Sequence, residues 1–79
     1  MVNYYKIILH YSDWYDSNTI TRSLSDAVPI LSWKECNDIV KTAQMYDTCI
    51  IFSKEYDLAS IYKQRILNQG LSVSLVKQK

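Results

Sequence analysis

Apolar and polar positions alternate from Tyr4 to Tyr11, with Tyr5, Ile7 and Leu9 set against Lys6, Ile8 and His10. A period of two, rich in β-branched and aromatic residues, predicts a strand. Ile8 interrupts the polar side, so both faces are expected to be partly covered, as suits the middle of a sheet. Ser12-Asp13-Trp14-Tyr15-Asp16-Ser17 follows as a polar turn holding two aromatic residues. The period then changes: Ile20, Leu24, Ala27 and Val28 fall on one stripe of a helix, with Asp16 or Ser17 as its N-cap. Pro29 ends that helix by pushing the residue before it out of the α region.

Ser32-Trp33-Lys34-Glu35 has the spacing of a capping box, and Leu31 and Cys36 stand where a hydrophobic staple would lie. With Cys36, Ile39, Val40 and Ala43 repeating at three and four residues, a second helix is predicted from about Ser32 to Gln44. Thr48 to Phe52 reads as a short apolar strand. Ser53 is expected to cap a third helix, with Glu55 and Asp57 in its first turn where the helix dipole favours negative charge. Leu58, Ala59, Ile61, Tyr62, Ile66 and Leu67 give that helix a broad apolar face. Gly70 closes it in the left-handed conformation. Leu71, Val73 and Leu75 alternate with Ser72 and Ser74 in a last strand with one wet face.

The order is thus β-α-α-β-α-β. Each helix reverses the chain, so the second and third strands both run antiparallel to the first if it lies between them. That arrangement crosses no loops and keeps the connection right-handed. The expected fold is an α+β two-layer sandwich: a three-stranded antiparallel sheet of order 2-1-3 with three helices on one face. At 79 residues the chain is read as one domain.

Composition adds limits. The apolar share of 48% argues for a globular protein rather than a disordered one. One Gly and one Pro leave little material for long loops. Two cysteines outside any CxxC pattern, no signal-peptide pattern and no long apolar run suggest a cytoplasmic protein with free thiols. The net charge of +1 opposes strong steering to nucleic acid or membrane. One asymmetry remains, because after Asp57 the charged side chains are Lys63, Arg65, Lys77 and Lys79.

Two families of β-α-α-β-α-β domains resemble this pattern. Trp33-Lys34-Glu35-Cys36-Asn37-Asp38-Ile39-Val40-Lys41 is similar to the Leu-Lys-Glu-Ala-Lys-Asp-Leu-Val-Glu helix of the ribosomal stalk protein's C-terminal domain. Tyr5-Lys6-Ile7-Ile8-Leu9-His10 resembles the first strand of ClpS, the adaptor that delivers substrates to the Clp protease. The closing helix, Gly70 and last strand resemble both families. The likeness implies their fold and a non-catalytic binding role. In ClpS, Asn-Asp-Asp after the first strand grips a substrate's α-amino group. Here the run is Tyr11-Ser12-Asp13, so only Asp13 matches, and the family's helix-two His falls at about Gln44. Of the stalk protein's basic helix surface, Arg22 and Lys34 are kept, while Asn37 replaces a second Lys.

Catalytic chemistry has little material. His10 is the one histidine, and Cys36 and Cys49 read as core and sheet positions where thiols are inert. One His and two scattered Cys do not make a zinc site, and no glycine-rich loop offers a phosphate cradle, so no metal and no cofactor is expected. The aromatic residues are the better lead. Trp14 and Tyr15 in the first turn, and Tyr46 in the turn after the second helix, are expected at one end of the domain as anchors for a protein partner. Asp13 joins them, with Arg22 and Lys34 on exposed helix faces. The reading is an adaptor or accessory module, not an enzyme, docking on a larger machine such as an ATPase, protease or helicase. The alternative is a small accessory protein of DNA or RNA metabolism, using Lys63, Arg65, Lys77 and Lys79 on phosphates. A Gly-poor, Tyr- and Ile-rich short chain also suits a small phage protein of either kind.

Overall fold

The computed structural model describes residues 3–13 and 15–78. Its elements are β1 (Tyr4–His10), α1 (Ser17–Ala27), α2 (Trp33–Tyr46), β2 (Thr48–Glu55), α3 (Tyr56–Asn68) and β3 (Ser72–Lys77). The sheet has the order β2-β1-β3, and β1 is antiparallel to both neighbours. This is the α+β sandwich expected from the pattern, with all three helices packed on one face of the sheet.

The pleat decides which residues meet the helices. Ile7 and Leu9 point inward and are fully buried, with Val73 opposite Leu9 on β3. Ile20, Leu24, Ala27 and Val28 of the first helical stripe join them, as do Cys36, Val40 and Ala43 of α2 and Ala59 and Ile66 of α3. Ile8, Ile50 and Val76 lie on the other face. No helix covers that side, and Ile8 is half-buried only by its neighbours there, so the two-sided cover expected for β1 is partial. Among the described residues Thr21 is the buried polar one, and its hydroxyl donates to the Ser17 carbonyl at 2.8 Å.

Local chemistry fixes the helix ends. Asp16 caps α1 by accepting from the Thr19 N–H at 2.7 Å. Val28, before Pro29, leaves the helical region with ψ 77°. At α2 the capping box is complete: the Glu35 N–H donates to Ser32 Oγ at 3.1 Å, and the Ser32 N–H donates to Glu35 Oε1 at 3.0 Å. Gly70, at φ +85°, follows the C-cap of α3 rather than forming it. Its N–H donates to the Leu67 carbonyl and that of Leu71 to the Ile66 carbonyl, the paired bonds of a Schellman motif.

Three expectations need correction. Helix α2 runs through Tyr46, so that residue ends a helix instead of sitting in the turn; the turn is carried by Asp47 at φ 72°. Ser53 does not cap α3. The ladder with β1 continues to Tyr4↔Glu55, absorbs a bulge at Ile51, and holds Ser53, Lys54 and Glu55 extended. Cooperative pairing there overrides the local capping preference, and Glu55 stands at the N-cap without a side-chain bond. Finally, the apolar face of α3 is narrower than its composition suggests: Leu58, Ile61 and Leu67 are exposed, because the helix meets the sheet along Ala59, Tyr62 and Ile66.

The caps and the core predict distinct losses. Ser32→Ala is expected to cost about 1 kcal/mol and Leu24→Ala about 2–5 kcal/mol, read from urea midpoints. Asp16 and Glu35 are both held below the usual carboxylate range, chiefly by the backbone N–H groups of Thr19 and Ser32. Depressed values mean that their contribution is present at neutral pH and fades as pH falls through about 4 and below. An Asp16→Asn/Glu35→Gln variant should therefore lose less stability on acidification than the wild type; an identical acid limb would contradict this.

Candidate functional site

The antiparallel sheet brings three strand ends together. His10 closes β1 opposite Thr48, the first residue of β2, and opposite Ser72, the first residue of β3. The turn into α1 leaves from the same end, and so do the ends of α2 and α3. The Tyr11 N–H donates to the Asp47 carbonyl at 2.9 Å, tying the β1 exit to the α2–β2 turn.

On the β3 side of this end lies an open pocket of about 340 Å3, lined by His10, Ser12, Tyr15, Ile20, Gly70, Leu71 and Ser72. Each lining residue is there for a structural reason. Asp16 starts α1 and so fixes Tyr15 just ahead of it and Ile20 in the first turns. The Schellman motif turns the chain at Gly70 and sends Leu71 inward. A Cβ on Gly70 would stand 3.6 Å from Tyr15 Oη, so the phenol and the glycine backbone approach closely across the pocket. His10 Nε2 and Ser74 Oγ share a hydrogen bond of 2.6 Å, which makes Ser74 the partner that orients the imidazole.

The residues proposed from sequence are placed as follows. Tyr15 is 45% exposed at the pocket, and Asp13 is exposed in the turn before it. Tyr46, 68% exposed, is at the same end but flanks β1 on the β2 side, across a sheet where β2 and β3 lie roughly 10 Å apart. The two tyrosines thus share an end without sharing a pocket. Trp14 and Lys79 lie outside the described residues. Arg22 and Lys34 are exposed on α1 and α2. The basic residues of the alternative reading are spread out. Arg65 is in the last turn of α3 beside the Tyr62 ring at 5.9 Å, near the pocket end, whereas Lys77 ends β3 opposite Tyr5 at the far end. Lys63 is half-buried.

Sequence reasoning assigned His10, Ile20, Gly70, Leu71 and Ser72 to strand, core and cap, and did not see that they line one cavity. Their separation of some sixty residues along the chain hides it. The available signal was that the one histidine and the one glycine stand at strand ends which the topology brings together.

The thiols are unsuited to nucleophilic work. Cys36 is buried and Cys49 half-buried, and burial pushes both above the ordinary thiol range; Glu35 adds to this at Cys36, and Thr42 offsets part of it at Cys49. Cys49 is registered opposite Leu9, on the inward face, while His10 next to it belongs to the outward one. Among the described residues no three His, Cys, Asp or Glu side chains cluster as a metal site. No helix among them is long and apolar enough to cross a membrane.

No family model matches the sequence, and no curated protein sequence matches it. In three dimensions the chain is similar to ClpS2 of Agrobacterium tumefaciens, solved bound to L-phenylalaninamide. The TM-score is 0.90 at 17% identity, covering 99% of this chain and 100% of that one. The fold is ClpS-like, as the resemblance of the first strand and the closing helix, glycine and strand implied.

The thiol environments set an order of reaction. Under native conditions at neutral pH, iodoacetamide should label Cys49 before Cys36, and both far more slowly than in denatured protein. Cys36 labelling at the denatured rate would contradict its placement in the core.

Proposed function

We propose that this protein is a non-catalytic binding module of adaptor type, holding an aromatic or apolar side chain of a partner protein in the end pocket. The carrying observation is the pocket itself: about 340 Å3, open at one end of the domain, with Tyr15, Ile20 and Leu71 among its walls. That volume is at the lower end of the range for small-ligand sites, where one side chain with its adjoining backbone can be enclosed. The similar ClpS2 has been solved bound to L-phenylalaninamide, a ligand of this size class, which supports the reading.

In this reading Tyr15 is the main anchor, because a tyrosine beside a pocket combines ring area with a hydroxyl able to donate and accept. Asp13, exposed in the turn before it, extends the contact. Tyr46 offers a second aromatic contact on the β2 side. Arg22 and Lys34, on the exposed faces of α1 and α2, are left for a larger machine of the ATPase, protease or helicase class on which the module docks.

The test is a heteronuclear NMR titration with short peptides. A Phe-containing peptide should shift the amides of Gly70, Leu71 and Ser72, and its Ala counterpart should not. Tyr15→Ala, which removes the main anchor, should abolish the response. The affinity should change little between about 50 and 200 mM salt, whereas phosphate binding would fall steeply. Shifts confined to Lys63, Arg65 and Lys77, induced by an oligonucleotide and lost with salt, would replace this proposal with the nucleic-acid one.

A further inference from the structure

We infer that two copies of this chain pair along the free edge of β3, antiparallel about a two-fold axis, so that two three-stranded sheets become one. The inference is independent of the pocket and rests on the two sheet edges being built differently. β2 carries two of the features that keep an edge from pairing. The bulge at Ile51 breaks its register with β1, and Lys54 places a charge on the helix side, its Nζ 5.2 Å from the Phe52 ring. β3 carries neither. Its register with β1 is unbroken from Ser72 to Lys77, it holds no proline, and its one charge is at its last residue.

The alternation of ladder bonds decides which groups of β3 are free. The Gln78 N–H donates to the Tyr4 carbonyl at 2.8 Å, so the bonded pairs with β1 recur at Val76, Ser74 and Ser72. The N–H and C=O of Val73, Leu75 and Lys77 then point away from β1, and among the described residues nothing bonds to them there. A second β3 matches all three when Leu75 lies opposite Leu75 of the other copy. Val73 then pairs with Lys77 of the other copy, and the two lysines stay about 14 Å apart, four residues along the strands. On the helix side each Leu75 gains an apolar cross-strand partner. Leu67 flanks the same edge: it lies about 140° round α3 from Tyr62, which meets Phe52 on the β2 side, and it is 38% exposed. This self-match, apolar against apolar with no like charges opposed, is what a two-fold contact needs, and it favours a second copy over a foreign strand.

A contact of one strand per copy is at or below the roughly 1,000 Å2 of a specific interface, so the dimer is reversible and concentration sets its population. Sedimentation velocity of the full chain from about 10 µM to 1 mM should show monomer giving way to dimer. Over the same range, hydrogen exchange at the Val73, Leu75 and Lys77 amides should slow at least about threefold, while the Ile50 amide on the β2 edge keeps its rate. Val76→Lys, at a position 46% exposed, sets two lysines diagonally across the new strand pair. It should raise the dissociation constant at least about fivefold at low salt. A chain that is monomeric up to 1 mM would overturn the inference. So would a dimer that leaves the three edge amides unchanged, since it must form elsewhere. Protection of those amides only by an added Thr-Val-Thr-Val-Thr peptide would assign the edge to a foreign strand and overturn it too, and none of these results touches the pocket.

Discussion

The structure depends on one constraint: β1 must lie between β2 and β3 with Ile7 and Leu9 turned inward under the helices. These two side chains are the centre of the core, and the ladders on either side of β1 satisfy its backbone. A period-two strand cannot shift by one residue here, since that would expose both side chains and bury Lys6 and His10 instead. The register therefore follows from burial. With it comes the convergence of the starts of β2 and β3 on the end of β1, because both neighbours are antiparallel to that strand.

The pocket is a consequence of that convergence. It lies where β1 stops, α1 begins and the chain leaves α3 for β3, and its walls are residues whose first duty is to end or start an element. Asp16 caps α1, Gly70 takes the positive φ of the Schellman motif, and Leu71 turns inward after it. Its lining joins the apolar Ile20 and Leu71 to His10, Ser12, Tyr15 and Ser72. Burial raises both thiols, and Cys49 lies on the opposite face of the sheet from His10.

Much of the fold was legible because local and global signals agree. The capping box at Ser32 and Glu35, the Pro29 stop, the glycine after α3 and the stripe of α1 each specify the same structure that packing requires. Legibility fails where they conflict. Ser53 has the chemistry of a cap, yet the ladder with β1 and the bulge at Ile51 hold it in a strand. Tyr46 follows the last strong helical position, but α2 gains another half turn before Asp47 takes the left-handed conformation. Leu58 and Ile61 look like core, and only the angle at which α3 meets the sheet leaves them outside. The aromatic end was half visible, since its turns could be placed from topology. The pocket was not, because contact between Tyr15 and the Gly70 turn exists only in three dimensions.

Native-state hydrogen exchange tests the central constraint most directly. With β1 at the middle of the sheet, the amides of Ile7, Ile8 and Leu9 should be the slowest in the chain, exchanging only through global unfolding and responding fully to denaturant. Amides of α1 or α2 that outlast them, with β1 exchanging through local opening, would show that the helices stand without the central strand and would contradict the account.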